Sequence, residues 1–468
     1  MKMRLALAAL LFAACNTAGP ELLPPPFGPN GRQPARLFFP TGLAVAPDGT
    51  LLVANGNFNH AFDAGTVASI RKSYLDTLFS AHRDCDVAPP APAGCDQANA
   101  DVQFADAIMI GNYAGPLVLD SAGTTAFTGS RDSGKLNAVR VAPGGALSCP
   151  DGAGDNAARD CRAGLVDLLK AANLDGPYSI VRGDSQGPGQ AAPRPVLFVS
   201  SVVPHIDQIS AGTIFSSSNV AALDMQNPAQ VLFTMSVASQ FVASGDAVGP
   251  MAFDGVRRQL YLSGCYERFA SGGAGEPGSG ICLGQNTNLL RIVNVDAQGA
   301  AFPTTVELFS DVQSTQTTQL LLADPDPSGM PMTLWATMRG PDALVQIQLP
   351  AEPSVTPRVR RAVPLPISPA DMTLIKRAGG GPDLIAIVAE KLGAVAIYDT
   401  AVGRVVAQVE RLGNSPFTIQ QLPCPAGEAA DSVCLATSVF QSCSVGLIEL
   451  HTSTPSDAQL RARVGSCP

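Results

Sequence analysis

Residues 368–419, SPADMTLIKRAGGGPDLIAIVAEKLGAVAIYDTAVGRVVAQVERLGNSPFTI, hold four short apolar runs separated by turn signals. The run after Ser368-Pro369 is followed by LIAIVA, by AVAIYDT beyond a tight turn at Lys391-Leu392-Gly393, and by VVAQVER beyond Val402-Gly403. A Gly-Asn-Ser-Pro corner then leads into FTIQQL. Runs this short, rich in Val and Ile and bounded by Gly, Pro, Asn and Asp, read as antiparallel strands. A four-strand unit that recurs along a chain buries its faces by stacking on its neighbours, which restricts the architecture severely.

The rest of the chain follows the same template. TGLAVA, LLVAN and GTVASI form a first unit, completed after a detour at 71–102 by a strand around ADAIMIG (105–111). Further units are read at 116–172, 176–235, 249–310, 318–365 and, after the template, 416–464. The expected fold is all-β, a seven-bladed β-propeller, with six or eight blades also compatible with the irregular spacing. Gly-Pro or Ser-Pro precedes several inner strands, where Gly permits a sharp corner and Pro lacks an N–H that the edge of a sheet does not need. SYLDTLFSAH (73–82) and LVDLLKAANL (165–174) have helical spacing and are expected as short helices beneath the propeller. Either RLFF (36–39) or QLRARV (459–464) could supply the outermost strand of the last blade and so remove the open edges.

Asp399-Thr400-Ala401-Val402-Gly403 followed by Gly413-Asn414-Ser415-Pro416 resembles the D-T-x-x-G…G-x-x-P blade ending of the YVTN/YncE-like family. PTGLAVAPDGTLLVAN (40–55) with GTVASI (65–70) is similar to the same family and to the related NHL and gluconolactonase-like propellers. The resemblance covers most of 36–466 and is specific in the first and sixth blades. It implies an architecture and no particular ligand. Gluconolactonase-like enzymes hold a central metal with acidic and Asn side chains, and that set does not map onto residues of this chain.

Lys2 and Arg4 precede the apolar run LALAALLFAA, too short to span a bilayer and of signal-peptide form. Phe12-Ala13-Ala14-Cys15 resembles a bacterial lipobox, with Phe12 where Leu is usual; an ordinary secretory signal beside a cysteine is the other reading. The resemblance implies residues 1–14 as signal peptide, Cys15 as the lipidated first residue, and, from Asn16, delivery to an outer membrane. Residues 15–35 are a Pro-rich tether and 36–468 the propeller domain. No later segment is apolar enough to span a membrane.

Of 11 cysteines, setting Cys15 aside leaves an even set in local neighbours, as exported proteins with disulfides have. These are Cys85 with Cys95, Cys149 with Cys161, Cys265 with Cys282, Cys424 with Cys434 and Cys443 with Cys467; Cys424–Cys443 with Cys434–Cys467 is an alternative. A metal site is disfavoured by the lack of any C-x-x-C pair and by only 4 histidines, none beside two cysteines. No metal and no cofactor is expected. The net charge of −9 argues against nucleic acid as a partner.

No G-x-S-x-G, H-E-x-x-H or phosphate-cradling loop is present, so no catalytic residue can be named. The candidate binding residues are Asn55, Asn57, Asn59 and His60, in a turn of the first blade, although a polar turn closing a hairpin is the simpler and favoured reading of them. That turn shares a face with the long insertions 204–217 and 266–287. The Asp-rich loop 151–160 lacks the order of a calcium loop, and Arg182-Gly183-Asp184 is a chance-level motif. The sequence thus points to a monomeric, lipid-anchored envelope protein whose propeller binds a protein, peptide or glycan. The alternative is a metal-dependent hydrolase or lyase of lactonase type. Cys15→Ser is expected to abolish partition into the detergent phase; unchanged membrane association would remove the lipoprotein assignment.

Overall fold

A computed structural model describes residues 22–27, 35–87, 92–185, 192–203, 205–210, 213–217, 219–236, 248–267, 285–296, 304–313, 316–325, 328–365, 368–377 and 380–467. Residues 1–21, Cys15 among them, and most of the segment expected as a tether lie outside them, as do Cys282 and most of the insertion 266–287. Seven antiparallel sheets follow one another in chain order. The first is Pro40–Val45, Leu51–Asn55, Gly65–Ile70 and Phe104–Ile110. The second is the least regular: beside Val118–Leu119, Thr125–Ser130 and Lys135–Val141, the fourth position is filled by two short pieces, Leu147–Ser148 and Val166–Asp167, both paired with Lys135–Val141. Blades three to six span Asp175–Ser185 to Asn227–Ser236, Val248–Asp254 to Thr304–Gln313, Gln316–Pro325 to Arg358–Pro364, and Pro369–Ile375 to Arg404–Val409. The seventh runs from Pro416–Leu422 to Gln459–Val464. The fold is a seven-bladed β-propeller.

Why the strands read as continuous apolar runs is visible in blade six. Every residue of Leu384–Ala389 is buried, but alternate side chains go to different places. Leu384, Ala386 and Val388 pack toward blade seven, and Ile385 and Ile387 toward blade five. Blade one does the same, sending Leu51 and Val53 to blade seven and Leu52 and Ala54 to blade two. Each middle strand is therefore apolar on both faces, and the period of two survives only in the destination. The major cores among the described residues lie one at each of the seven blade interfaces, including seven against one. Removing a large side chain such as Ile385 from one of them would cost about 2–5 kcal/mol.

The inner strands share a defect at their first residues. Register shifts fall at Pro40/Gly42, Pro177/Ile180, Val248/Met251, Thr317/Gln319, Pro369/Met372 and Pro416/Ile419. A proline at or within most of these bulges occupies a place where the ladder is already interrupted. Hydroxyls of the second strands repair the loss: Thr128, Ser263 and Thr437 donate to the carbonyls of Gly115, Pro250 and Thr418. At Gly42 a Cβ would stand 2.6 Å from the Gly115 carbonyl oxygen, so the corner between blades one and two requires glycine there.

Of the two closing segments drawn from the sequence, QLRARV is the one the structure uses, and a further strand is added beyond it. QLRARV is the fourth strand of blade seven, whereas 36–39 is not a strand. A fifth strand, Asp96–Gln97, comes from the detour of blade one and lies parallel to Gln459–Val464. The amide of Arg463 donates to the Cys95 carbonyl (2.7 Å), that of Gly465 to Gln97 (2.7 Å), and that of Cys85 to Leu460 (2.8 Å). Arg463 Nε donates to Asp96 Oδ1 at 2.5 Å. Leu37 contributes by packing into the same interface, held by its amide on Asn99 (3.0 Å).

Helix Lys72–Ser80 presses Tyr74, Leu75, Leu78 and Phe79 against this seam. The second helix is shorter than the spacing suggests, Leu168–Ala172, because Val166–Asp167 is taken up as the last strand of blade two. Disulfides join Cys85–Cys95, Cys149–Cys161, Cys424–Cys434 and Cys443–Cys467. The alternative pairing of the last four cysteines is not the one formed. The pairing of Cys265 with Cys282 lies outside the described residues. Because the Cys85–Cys95 loop carries the closing strand, Cys85→Ser/Cys95→Ser is expected to cost about 3 kcal/mol. Limited proteolysis should then open 84–103 first; a loss of midpoint no greater than that of Cys149→Ser/Cys161→Ser, with no new cleavage there, would show that the seam needs no staple.

Candidate functional site

Antiparallel order places the connections between second and third strands on the same face as the connections between blades. The turn 56–64 and the hairpin of His205–Ser210 with Thr213–Ser217 belong to that face. The Asp-rich loop and the Cys424–Cys434 loop belong to the other. The Asp-rich loop is internally built: Asp160 binds Arg162, and Asp155 Oδ1 accepts from the amides of Ala157 and Ala158. Arg182-Gly183-Asp184 is part of the inner strand Asp175–Ser185.

The four candidate residues of the first turn have different fates. Asn55 is buried; its Oδ1 accepts from the Phe38 amide (3.0 Å) and its Nδ2 donates to Thr66 Oγ1 (2.8 Å). Asn57 is also buried, donating to the Phe62 carbonyl (2.5 Å) and to Asn112 Oδ1 (2.7 Å). Asn59 accepts from the Ala61 amide at 3.1 Å, as a turn-forming Asn does. Asn55 and Asn57 are thus committed to holding the turn against its surroundings, while Asn59 is exposed. His60 is exposed and meets the Tyr113 hydroxyl.

What the turn builds is an aromatic shelf. Phe58 packs edge-on against Tyr113 (4.8 Å between centroids) and Phe440 (5.0 Å). Phe39 reaches Phe440 at 5.1 Å, Phe417 reaches it at 6.2 Å, and His60 caps Tyr113 at 4.9 Å. The five carbocyclic rings are half-buried and come from blades seven and one and from the corner into blade two. Sequence reading missed this because each ring sits singly in a different turn. The only signal was an aromatic at several second-to-third-strand turns and blade corners of one region.

Phe417 connects the shelf to the central channel, where a cavity of about 210 Å³ is lined by the inner strands. Its wall is evenly polar and apolar: Ser179, Gln316, Thr318, Thr418 and Gln420 face it, among Leu43, Leu117 and Ile180. One carboxyl and two guanidinium groups line it, those of Asp371, Arg339 and Arg131. Asp371 accepts from Gln319 Nε2 (2.8 Å), from the Ile419 amide (3.0 Å) and from the Met372 amide (2.8 Å), which ties blades five, six and seven together. Burial pushes its pKa up, and the three donors only partly oppose that. Arg339 bonds Glu390 and donates from Nε to the Pro369 carbonyl at 3.0 Å. Arg131 follows the second strand of blade two, with its guanidinium 4.7 Å from the centre of the Tyr178 ring. Its Nε is sealed without a hydrogen-bond partner, and burial draws its pKa below the ordinary guanidinium value.

On the opposite face, His82, Glu428 and Glu449 form the cluster with metal-compatible donors among the described residues. His82 Nε2 is 3.7 Å from Glu428 and Nδ1 is 4.0 Å from Glu449 Oε2. That Glu449 oxygen already accepts from Arg461 Nε at 2.7 Å, so a guanidinium supplies the positive charge a metal would bring. His451 pairs separately with Asp431 at 3.4 Å. No helix among the described residues is long and apolar enough to cross a membrane.

A protonated Asp371 is favoured by the folded state. Its contribution to stability is therefore fully present below the ordinary value of 3.8 and is lost as pH rises through the elevated folded value. The difference in unfolding midpoint between the native chain and Asp371→Asn should widen on acidification from neutrality. A difference independent of pH would show that the carboxyl is ionised throughout.

No family model and no curated protein matches the chain. Among solved structures, it is similar to the Cps50 (Swd1) β-propeller domain of Myceliophteria thermophila, at 10% identity and a TM-score of 0.46, covering 89% of this chain and 98% of that one. A putative 6-phosphogluconolactonase from Bacteroides fragilis is similar at 12% identity and 0.43, with 81% and 86% covered. A protein from Lactobacillus plantarum is similar at 12% and 0.42, with 80% and 84% covered. Such likeness is of overall shape alone.

Proposed function

We propose that this chain is a lipid-anchored binding protein of the bacterial envelope, of YVTN/YncE-like kind, that captures a glycan on its insertion-bearing face. The observation that carries the reading is the aromatic shelf of Phe39, Phe58, Tyr113, Phe417 and Phe440 beside a channel mouth of amides and hydroxyls. Half-exposed rings offer apolar faces to the C–H surfaces of sugar rings, while amide and hydroxyl groups match sugar hydroxyls in both donor and acceptor roles. Aromatic residues held rigid by one another also lose little conformational entropy when a ligand covers them.

The chemistry of the channel wall supports binding over hydrolysis. Its one carboxylate, Asp371, has both oxygens engaged by N–H donors, and among the described residues no His or Asn joins it there. Lipidation at Cys15 would hold the propeller at a membrane, with the Pro-rich tether giving reach of a few tens of ångströms, at about 3.1 Å per residue.

Oligosaccharides released from envelope polysaccharide, presented to the mature protein on a sensor, are the test. The native chain is expected to retain a subset of them without altering them. Phe58→Ala and Phe440→Ala should each weaken capture roughly tenfold. Gln316→Trp, which fills the channel mouth, should do the same at an unchanged unfolding midpoint. Release of cleaved or delactonised product would support the hydrolase reading, and capture insensitive to all three variants would overturn the proposed site.

A further inference from the structure

We infer that the channel seats a carboxylate, Arg131 holding the acid group of an acidic sugar residue at the end of the captured glycan. The inference rests on the glycan-binding reading and deepens it. Its starting point is an imbalance of charge. Arg339 lines the same cavity but is paired with Glu390 and the Pro369 carbonyl. Arg257, sealed from solvent elsewhere, has Asp254 at 2.6 Å and the carbonyls of Pro331 and Pro350. Arg131 has neither a carboxylate nor a carbonyl partner for its guanidinium among the described residues, and its Nε is buried without a hydrogen bond.

The Tyr178 ring at 4.7 Å orients the guanidinium plane but carries no compensating negative charge. Asp371, the carboxylate of the same cavity, is committed to Gln319, Ile419 and Met372. A cation held partly out of water without an anion is an unfavourable arrangement that a ligand can relieve. The planar fork of a guanidinium matches a carboxylate in a two-pronged contact. Burial also makes Arg131 harder to keep charged while the channel is empty, which points the same way.

The remaining wall distinguishes an acidic sugar from a bare anion. Gln316 and Gln420 line the cavity with amides that have no hydrogen-bond partner among the described residues, and such groups suit ring hydroxyls. A volume of about 210 Å³ is below the roughly 300–1,000 Å³ of sites for drug-sized ligands, so it admits one sugar residue while the shelf carries the next.

The experiment is calorimetric titration of the mature protein with three sugar acids, D-glucuronate, D-galacturonate and N-acetylmuramate, each against its neutral counterpart and against inorganic phosphate. At least one acid is expected to bind tightly, its neutral counterpart and phosphate at least tenfold more weakly, and Arg131→Met should remove that preference. Arg131→Met should also unfold no earlier than the native chain, because it deletes an uncompensated cation; an earlier unfolding would mark Arg131 as a structural strut and overturn the inference. Phosphate competing as well as the acids would replace the carboxylate by any anion and also overturn it. If acids and neutral sugars bind alike, with both lost in Phe58→Ala, the carboxylate inference falls while the glycan reading stands. If no sugar binds, with or without Arg131, both fall.

Discussion

A ring of seven sheets stands or falls with the joint where its last sheet meets its first. Six of the interfaces join blades that are neighbours in sequence, so short corners hold them. The seventh must join residues several hundred positions apart, and its loop-closure entropy is correspondingly the largest. This chain answers with a strand borrowed from the detour of blade one, Asp96–Gln97, laid parallel on Gln459–Val464. Helix Lys72–Ser80 and Leu37 fill the core behind it, and Cys85–Cys95 and Cys443–Cys467 fix the two chain segments that meet. A parallel pair of two residues is weak in itself. Its strength comes from Arg463, which bonds to the borrowed segment through its backbone amide as well as through its side chain to Asp96.

The closed ring is what gives the channel a fixed wall. The bulges at the first residues of the inner strands lie on the insertion-bearing face, and each leaves a backbone carbonyl or amide free of its ladder partner. Some of these groups are satisfied by second-strand hydroxyls, as at Thr128, Ser263 and Thr437. Others are satisfied from the neighbouring blade: Ser179 Oγ accepts from the Met251 amide, and Asp371 accepts from the Ile419 amide. The polar character of the cavity therefore has two sources. Part of it is repair of the bulges, and part, in Gln316, Gln420 and Arg131, repairs nothing.

That division explains how far the sequence could be read. The fold was legible because strands buried on both faces, such as LIAIVA and LLVAN, stand out as short wholly apolar runs, and because Gly-Pro and Ser-Pro mark the bulged starts of inner strands. Four of the local disulfides were legible from spacing, since a short loop brings its own ends together. QLRARV was legible as a closing strand, but the strand added beyond it was not, because the two-residue Asp96–Gln97 has no pattern of its own and its partner lies at the other end of the chain. The turn Asn55–His60 drew attention for its Asn side chains, and these turn out to be its scaffold; Phe58 and His60 face outward, and their partners Tyr113 and Phe440 are distant in sequence. Arg131 carried no signal at all, being one arginine among many in a turn, S-R-D-S-G, that any hairpin could use.

The acid and the two arginines of the channel separate structure from function by how their charge is met. Asp371 is buried and resists ionisation, yet both of its oxygens receive N–H donors from three neighbouring blades, so its place in the fold is sufficient reason for it. Arg339 is matched by Glu390 in the next blade, so it too is accounted for by the ring. Arg131 differs in that the fold gives it a ring to lie against and nothing to neutralise it. A packed protein interior seldom leaves a polar group without a partner, because the cost of doing so exceeds the gain from most single contacts. Where one persists at the mouth of a channel, beside free amides and an aromatic shelf, the missing partner is most economically sought in the ligand.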